Sequence, residues 1–350
     1  MRAQTIICAL ASVLVPQGAF AYPGPVSGTE NIPKLMADSA LVCKGEVVEA
    51  PEATVSSDPQ PPHHTATAVL RVDRCFKGEP PSDTPLVLFD NILPPGGGPY
   101  VVIRKGDYRL FFLKNEGAKY TLTDAWFGQL SISRQLGVAP PVADPMAHLE
   151  SDLKAGLSDP NRDRVLDSIR MLGNMRHLQS KAELIALLDS PDELVRTYVL
   201  EAMLRLHNYS VLPAVENWLV AQPQLPPSLI LPRDALLEMQ DRLARQISTI
   251  RDPVALPVLL GLLKLPKPFV RQEALQAVRA IHSPTSTESL LGMLDDPSPD
   301  NAFAAMQGLI ELAGGGNISW VPSLPEFREN PSYYATRCRE WWQTGHPQTP

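Results

Sequence analysis

His63-His64 is an adjacent histidine pair, the residue type that most often supplies nitrogen ligands to zinc. A zinc site needs further ligands at defined spacing, and no Cys, Asp or Glu stands at ligand spacing from this pair. The pair also lies in a proline-rich stretch, so no metal site is expected. Gly96-Gly97-Gly98 is a glycine run, but it lacks the following helix and the Lys-Ser/Thr that cradle phosphate. The paired carboxylates Asp295-Asp296 fall in a turn, where helix capping accounts for them. Neither G-x-S-x-G nor H-E-x-x-H occurs. The chain is therefore expected to carry no catalytic, metal or cofactor-binding residues, and no cofactor.

The remaining reactive residues are cysteines. Cys8 lies in the first apolar stretch, and Cys43, Cys75 and Cys338 follow. Cys43 and Cys75 fall in predicted neighbouring strands and are the disulfide candidate. Strand alternation does not put both clearly on one face, so paired and free states both stay open. Cys338 is left over, for burial as a small hydrophobe or for pairing between chains.

Residues 1–21 read as a signal peptide. Arg2 supplies a positive start, Thr5 to Val15 is apolar but short of the roughly 20 residues of a membrane span, and Ala19-Phe20-Ala21 is an A-x-A cleavage site. The mature chain would begin near Tyr22, in the periplasm or outside the cell, where disulfides persist. No later transmembrane segment is expected. Cleavage removes only Arg2 among charged residues, taking the net charge from −7 to −8. An acidic chain with no Lys/Arg cluster disfavours nucleic acid as a partner.

From Ala37 to Ser133 the pattern is β. Strands are expected at Leu41 to Val48, Ala66 to Phe76, Leu86 to Phe89, Tyr108 to Leu113, Tyr120 to Thr123 and Gln129 to Ser133. Short strands in about 100 residues suggest a small closed antiparallel barrel. Three stretches carry a resemblance: Ala37-Asp38-Ser39-Ala40-Leu41-Val42, then Val69 through Cys75-Phe76-Lys77-Gly78, then Lys105-Gly106-Asp107-Tyr108-Arg109-Leu110. They resemble the OB-fold barrel of the tissue-inhibitor-of-metalloproteinases and netrin-module group. That resemblance implies the barrel and, as an alternative function, protease inhibition. Inhibitors of that group chelate the protease zinc through an N-terminal cysteine, whereas Tyr22-Pro23-Gly24-Pro25 would stand here.

Beyond Pro145 the period becomes helical. Pro160 to Pro191 spans 31 residues, and so does Pro266 to Pro297. Pro191 to Pro266 spans 75, which is two such periods and 13 more, and Gln222 to Arg233 reads as the insertion. Capping pairs Ser180/Glu183, Ser190/Glu193 and Thr285/Glu288, with Asp252-Pro253 and Asp296-Pro297, mark helix starts. The turn Asp189-Ser190-Pro191-Asp192-Glu193-Leu194-Val195-Arg196 resembles the HEAT repeat family in its short class. In that family the turn Asp and Arg can form ladders between repeats; capping and solvation is the simpler expectation. Ser332 to Gln343, with Tyr333, Tyr334, Trp341 and Trp342, would cover the last repeat.

The expected fold is multidomain β + α: a small antiparallel OB-like barrel, then a right-handed α-solenoid of HEAT-like repeats. The expected layout is barrel 22–136, linker 137–145, five repeats over 146–313 with the insertion at 222–233, and a capping segment 314–350. A stack of hairpins is most often a binding scaffold for a protein partner. Leu225, Leu229, Ile230 and Leu231 in the insertion are the candidate partner-binding residues. An enzyme with a site at the barrel–solenoid junction is a further alternative; clustered carboxylates or histidines there would favour it.

Overall fold

The structure is a computed structural model. It describes residues 30–52, 54–55, 66–80, 82, 84–89, 92–93, 103–124, 127–141, 144–176, 178, 181–222, 235–315 and 318–345. The signal-like segment, His63-His64, Gly96-Gly97-Gly98 and the insertion residues Leu225, Leu229, Ile230 and Leu231 lie outside the described residues.

A short helix that the strand pattern does not announce, α1 (Ile32–Asp38), opens the described chain. It buries Ile32, Leu35 and Met36. The strands are β1 (Leu41–Glu49), β2 (Thr54–Val55), β3 (Ala66–Lys77), β4 (Leu86–Phe89), β5 (Ile92–Leu93), β6 (Tyr108–Glu116), β7 (Lys119–Leu122) and β8 (Gln129–Ser131). Five of them close a barrel in the order β1-β3-β4-β7-β6 and back to β1, and β8 pairs with residues 109–111 of β6 on the edge opposite β1. All pairs in this sheet are antiparallel except β4–β7, which is parallel. Strands β2 and β5 form a separate parallel pair.

The barrel has two buried faces. Leu41, Cys43, Val47, Ala68, Leu70 and Phe111 fill its interior. On the other face Val42, Phe76, Leu110, Phe112, Leu130 and Ile132 join the core of the helical region. This explains why the first seven residues of β1 are all buried or nearly so rather than alternating.

Cys43 and Cys75 form a disulfide. They are direct cross-strand partners, and the register skips Asp73 between Arg74 and Val72. The skipped residue is a β-bulge, which reverses the in–out phase of the strand. Ala66, Ala68 and Leu70 point inward before it and Cys75 after it. Simple alternation cannot see that shift. Gly45 stands at the same crossing, where a Cβ would lie 2.2 Å from the Arg71 carbonyl oxygen, so no other residue fits.

Helical hairpins follow: α2 (Pro145–Gly156) with α3 (Arg162–Gly173), α4 (Ala182–Ala186) with α5 (Glu193–Arg205), and α6 (Leu212–Ala221) with α7 (Ala235–Ser248). Then come α8 (Leu256–Leu262) with α9 (Pro268–Ile281), and α10 (Thr287–Met293) with α11 (Pro299–Leu312). The second helices stack in sequence, α3 on α5, α5 on α7, α7 on α9 and α9 on α11. Their lateral packing is much closer than that of the first helices, so they form the inner layer of the array.

The end is closed by α12 (Leu324–Glu329) and α13 (Pro331–Gln343), which pack on α11. Phe327 is fully buried between Phe303 and Tyr334, and Trp341 sits edge-on to Trp320 and Trp342. The aromatic segment thus caps the stack, and Cys338 is a buried free thiol within it. Burial pushes that thiol up to about 12, so it stays protonated and unreactive.

Several predicted caps are displaced by one or two residues. Asp192, not Ser190, caps α5, accepting from the N–H groups of Leu194 and Val195. Pro191 therefore precedes the helix. Thr285 lies in a 3₁₀ turn before α10, and α11 begins at Pro299 rather than Pro297. Asp252 does cap the turn that opens with Pro253. A full capping box occurs at Ser323 and Glu326.

Candidate functional site

The described residues bring charge together in three places: the barrel–solenoid junction, the turns between hairpins, and the inner face with its adjoining edge. At the junction Lys44 is completely buried on the outer face of β1. Its Nζ lies 2.7 Å from Asp152 Oδ2 and donates to the Gln135 carbonyl at 2.6 Å. Arg74 donates to Asp152 Oδ1 at 2.5 Å, and the Gly137 N–H to the same oxygen at 2.8 Å. Burial lowers the Lys44 pKa, and the hydrogen bond and charge of Asp152 oppose that.

Nearby, Ser133 bonds Asp159, and Arg164 donates to the Ile132 carbonyl at 2.8 Å. Carboxylates do gather at this junction, as an enzyme would require. Asp152 is neutralised by two cations, and Glu30 is held by Arg170 at 2.5 Å and Asn174 at 3.2 Å. Asp167 shares Arg170, and burial raises its pKa. These groups fasten two cores together, and the residues 137–145 expected as a linker are bonded through Gly137 and Val138 to α2. Among the described residues no group of three or more His, Cys, Asp or Glu could hold a metal.

In the turns, charge ladders between neighbouring hairpins are present, beyond the simple capping expected. Asp192 caps its own helix and also pairs with Arg162 of the preceding hairpin at 2.5 Å. Arg271 is bidentate to Asp296 of the following hairpin, at 2.5 and 2.9 Å, with both side chains buried. Arg196 and Arg271 also donate to carbonyls six residues upstream, Ser190 and Leu265. The turn Arg thus closes its own hairpin, and in Arg271 it also grips the next. Asp295 pairs with Arg339 of the cap.

On the inner face, side-chain contacts link each second helix to the next. Arg205 donates to Asn174 at 2.5 Å and to Glu201 at 2.7 Å. Arg242 reaches Glu201 at 2.5 Å and lies 5.0 Å from the centre of the Tyr198 ring. Arg245 lies over Phe269 at 5.4 Å, and Arg279 joins Glu311 at 2.5 Å. Arg205, Arg242 and Arg279 are 37 residues apart in succession. That 37-residue spacing is a signal legible in the sequence.

Along one edge of this face the second helices end, and two depressions of about 400 and 760 Å³ lie there. The first is lined by Glu30, Asn174, Arg176, Arg205, His207 and Thr249, among others. The second includes Arg251, Arg279, His282, Glu311 and Gly314. Arg176, His207 and His282 have φ of 66°, 53° and 55°, and they are the non-glycine residues with positive φ among those described. At the end of α11 the same backbone is taken by Gly314, φ 96°. A left-handed conformation costs an L-residue about 1–2 kcal/mol. A cation at a helix C-terminus returns about 0.3–1 kcal/mol. Dipole compensation alone therefore does not account for basic residues where glycine is the usual choice.

The profile of the HEAT repeats family matches residues 230–310, which span the last helices before the cap. None of the curated proteins matches the chain. Among solved structures, the crystal structure of an engineered protein is similar at 18% identity and a TM-score of 0.33. It covers 56% of this chain and 97% of its own. No helix among the described residues is long and apolar enough to cross a membrane.

Proposed function

We propose that this chain is an exported, non-enzymatic binding scaffold whose inner helical face engages a protein partner. The carrying observation is that side chains link each second helix to the next on that face: Arg205 to Asn174, Arg242 to Glu201, Arg245 to Phe269 and Arg279 to Glu311. The HEAT match over 230–310 supports a protein-interaction role, because stacked hairpins present an extended surface to partners. The signal-like first 21 residues support export, and the Cys43–Cys75 disulfide fits an oxidising compartment. The barrel is a rigid first layer on the stack, and its kinship with netrin modules belongs to this reading as architecture, not as protease inhibition. The Gln222–Arg233 insertion, with Leu225, Leu229, Ile230 and Leu231, is part of the same proposal as a further partner-binding segment.

The test is affinity capture from the native exported fraction, with the wild type and a deletion of Gln222–Arg233. A saturable protein partner, retained less by the deletion, is the expected result. Turnover of a substrate in an unbiased hydrolase screen, with no partner retained, would refute the scaffold. Sequencing the mature N-terminus tests export, with Tyr22 as the expected first residue.

A further inference from the structure

We propose that the edge where the second helices end is a docking groove for an extended acidic peptide of the partner. The inference rests on the scaffold reading and names the chemistry that the scaffold would recognise. Arg176 follows α3, His207 follows α5, Arg251 follows α7 and His282 follows α9. Four consecutive hairpins thus place a basic residue at the same end of the inner layer. All four line the two depressions. Thr249 of the first and Arg251 of the second are two residues apart along the chain.

The acidic groups that line the edge are already held by other cations, Glu30 by Arg170 and Glu311 by Arg279. Arg176, His207 and His282 make no ion pair among the described residues. A basic edge on a chain of net charge −7 is complementary to an acidic segment. The backbone supplies independent support. Three of the four residues sit in the left-handed conformation that glycine adopts more cheaply, and the last hairpin does use Gly314 there. Strain kept at a row of residues whose side chains can donate to an anion, with Arg176 and Arg251 carrying fixed positive charge, points to a ligand. From α3 to α11 are four helix spacings of about 8–10 Å, so the groove fits roughly ten to twelve extended residues.

The test is fluorescence anisotropy with a labelled peptide of roughly twelve residues alternating Glu and Ser, matched to that length. Its Lys/Ser counterpart and heparin are the comparison probes. Saturable binding of the acidic peptide, weakening with salt, is expected. The combined variant Arg176→Gly, His207→Gly and His282→Gly should bind at least about tenfold more weakly. Glycine suits the left-handed backbone, so this variant keeps its fold, checked by its melting temperature. Equal binding by the variant, equal binding of the basic peptide, or binding of heparin alone would each overturn the proposal. Undiminished capture of the native partner by the triple variant would also overturn it, while leaving the scaffold reading intact.

Discussion

Lys44 and Asp152 are the residues on which the joint between barrel and helices turns. A buried ion pair adds little over a well-packed apolar pair, but removing one partner strands a charge. Asp152→Ala should therefore cost about 3–5 kcal/mol. Lys44→Met keeps the stem volume and leaves Asp152 paired with Arg74, so no charge is stranded and it should cost much less. Urea unfolding of both variants decides the matter, and equal losses would contradict the stranded-charge argument. Asp167 makes a pH prediction. Its folded pKa is raised, chiefly by burial. Its contribution to stability is then full below the ordinary aspartate value and is lost as pH rises through the raised one. Urea midpoints across the carboxylate titration range should fall more steeply with pH for wild type than for Asp167→Asn. A parallel pair of profiles would count against it.

At the scale of elements, hairpins are tied to one another by side chains that satisfy helix ends. Lys267, just before α9, is buried and donates to the carbonyls of Leu219 and Gln222 at the end of α6. It closes a helix terminus in the neighbouring hairpin, at the foot of the insertion. Lys267→Met should leave those carbonyls unpaired and destabilise the protein by about 1–3 kcal/mol. Hydrogen exchange should show the loss in α6 before it appears in α3. Uniform loss across the array would argue against this local role. The 31-residue proline spacing was legible because proline is tolerated near helix starts. Cap positions were less legible: Asp192 and Ser190 both suit a cap, and only the backbone at Asp192 decides between them.

At the scale of the molecule, barrel and solenoid share one core, from Val42 and Phe112 through Leu149 and Ile169 to Phe327. Differential scanning calorimetry should therefore show a single cooperative transition. Two separated transitions would mean that the junction is weak. The barrel supplies the first end of the stack and α12–α13 supply the other, so both exposed hairpin faces are covered. Gly137 and Val138, in a segment composed like a linker, are thereby part of the joint.

Periodicity and local chemistry in the sequence sufficed for the order of barrel and solenoid, the helical repeat, the aromatic cap and the absence of recognisable catalytic motifs. These depend on neighbours along the chain, where side-chain period and turn chemistry act. Tertiary structure alone decided the rest. A bulge at Asp73 put Cys43 and Cys75 on one face. Packing between cores buried Lys44. Stacking of successive hairpins aligned residues 31 to 44 positions apart, from Arg176 to His207 and from His207 to Arg251, into one basic edge. The repeat period determined the helical stack, and only the fold brought Arg176, His207, Arg251 and His282 to one edge of it.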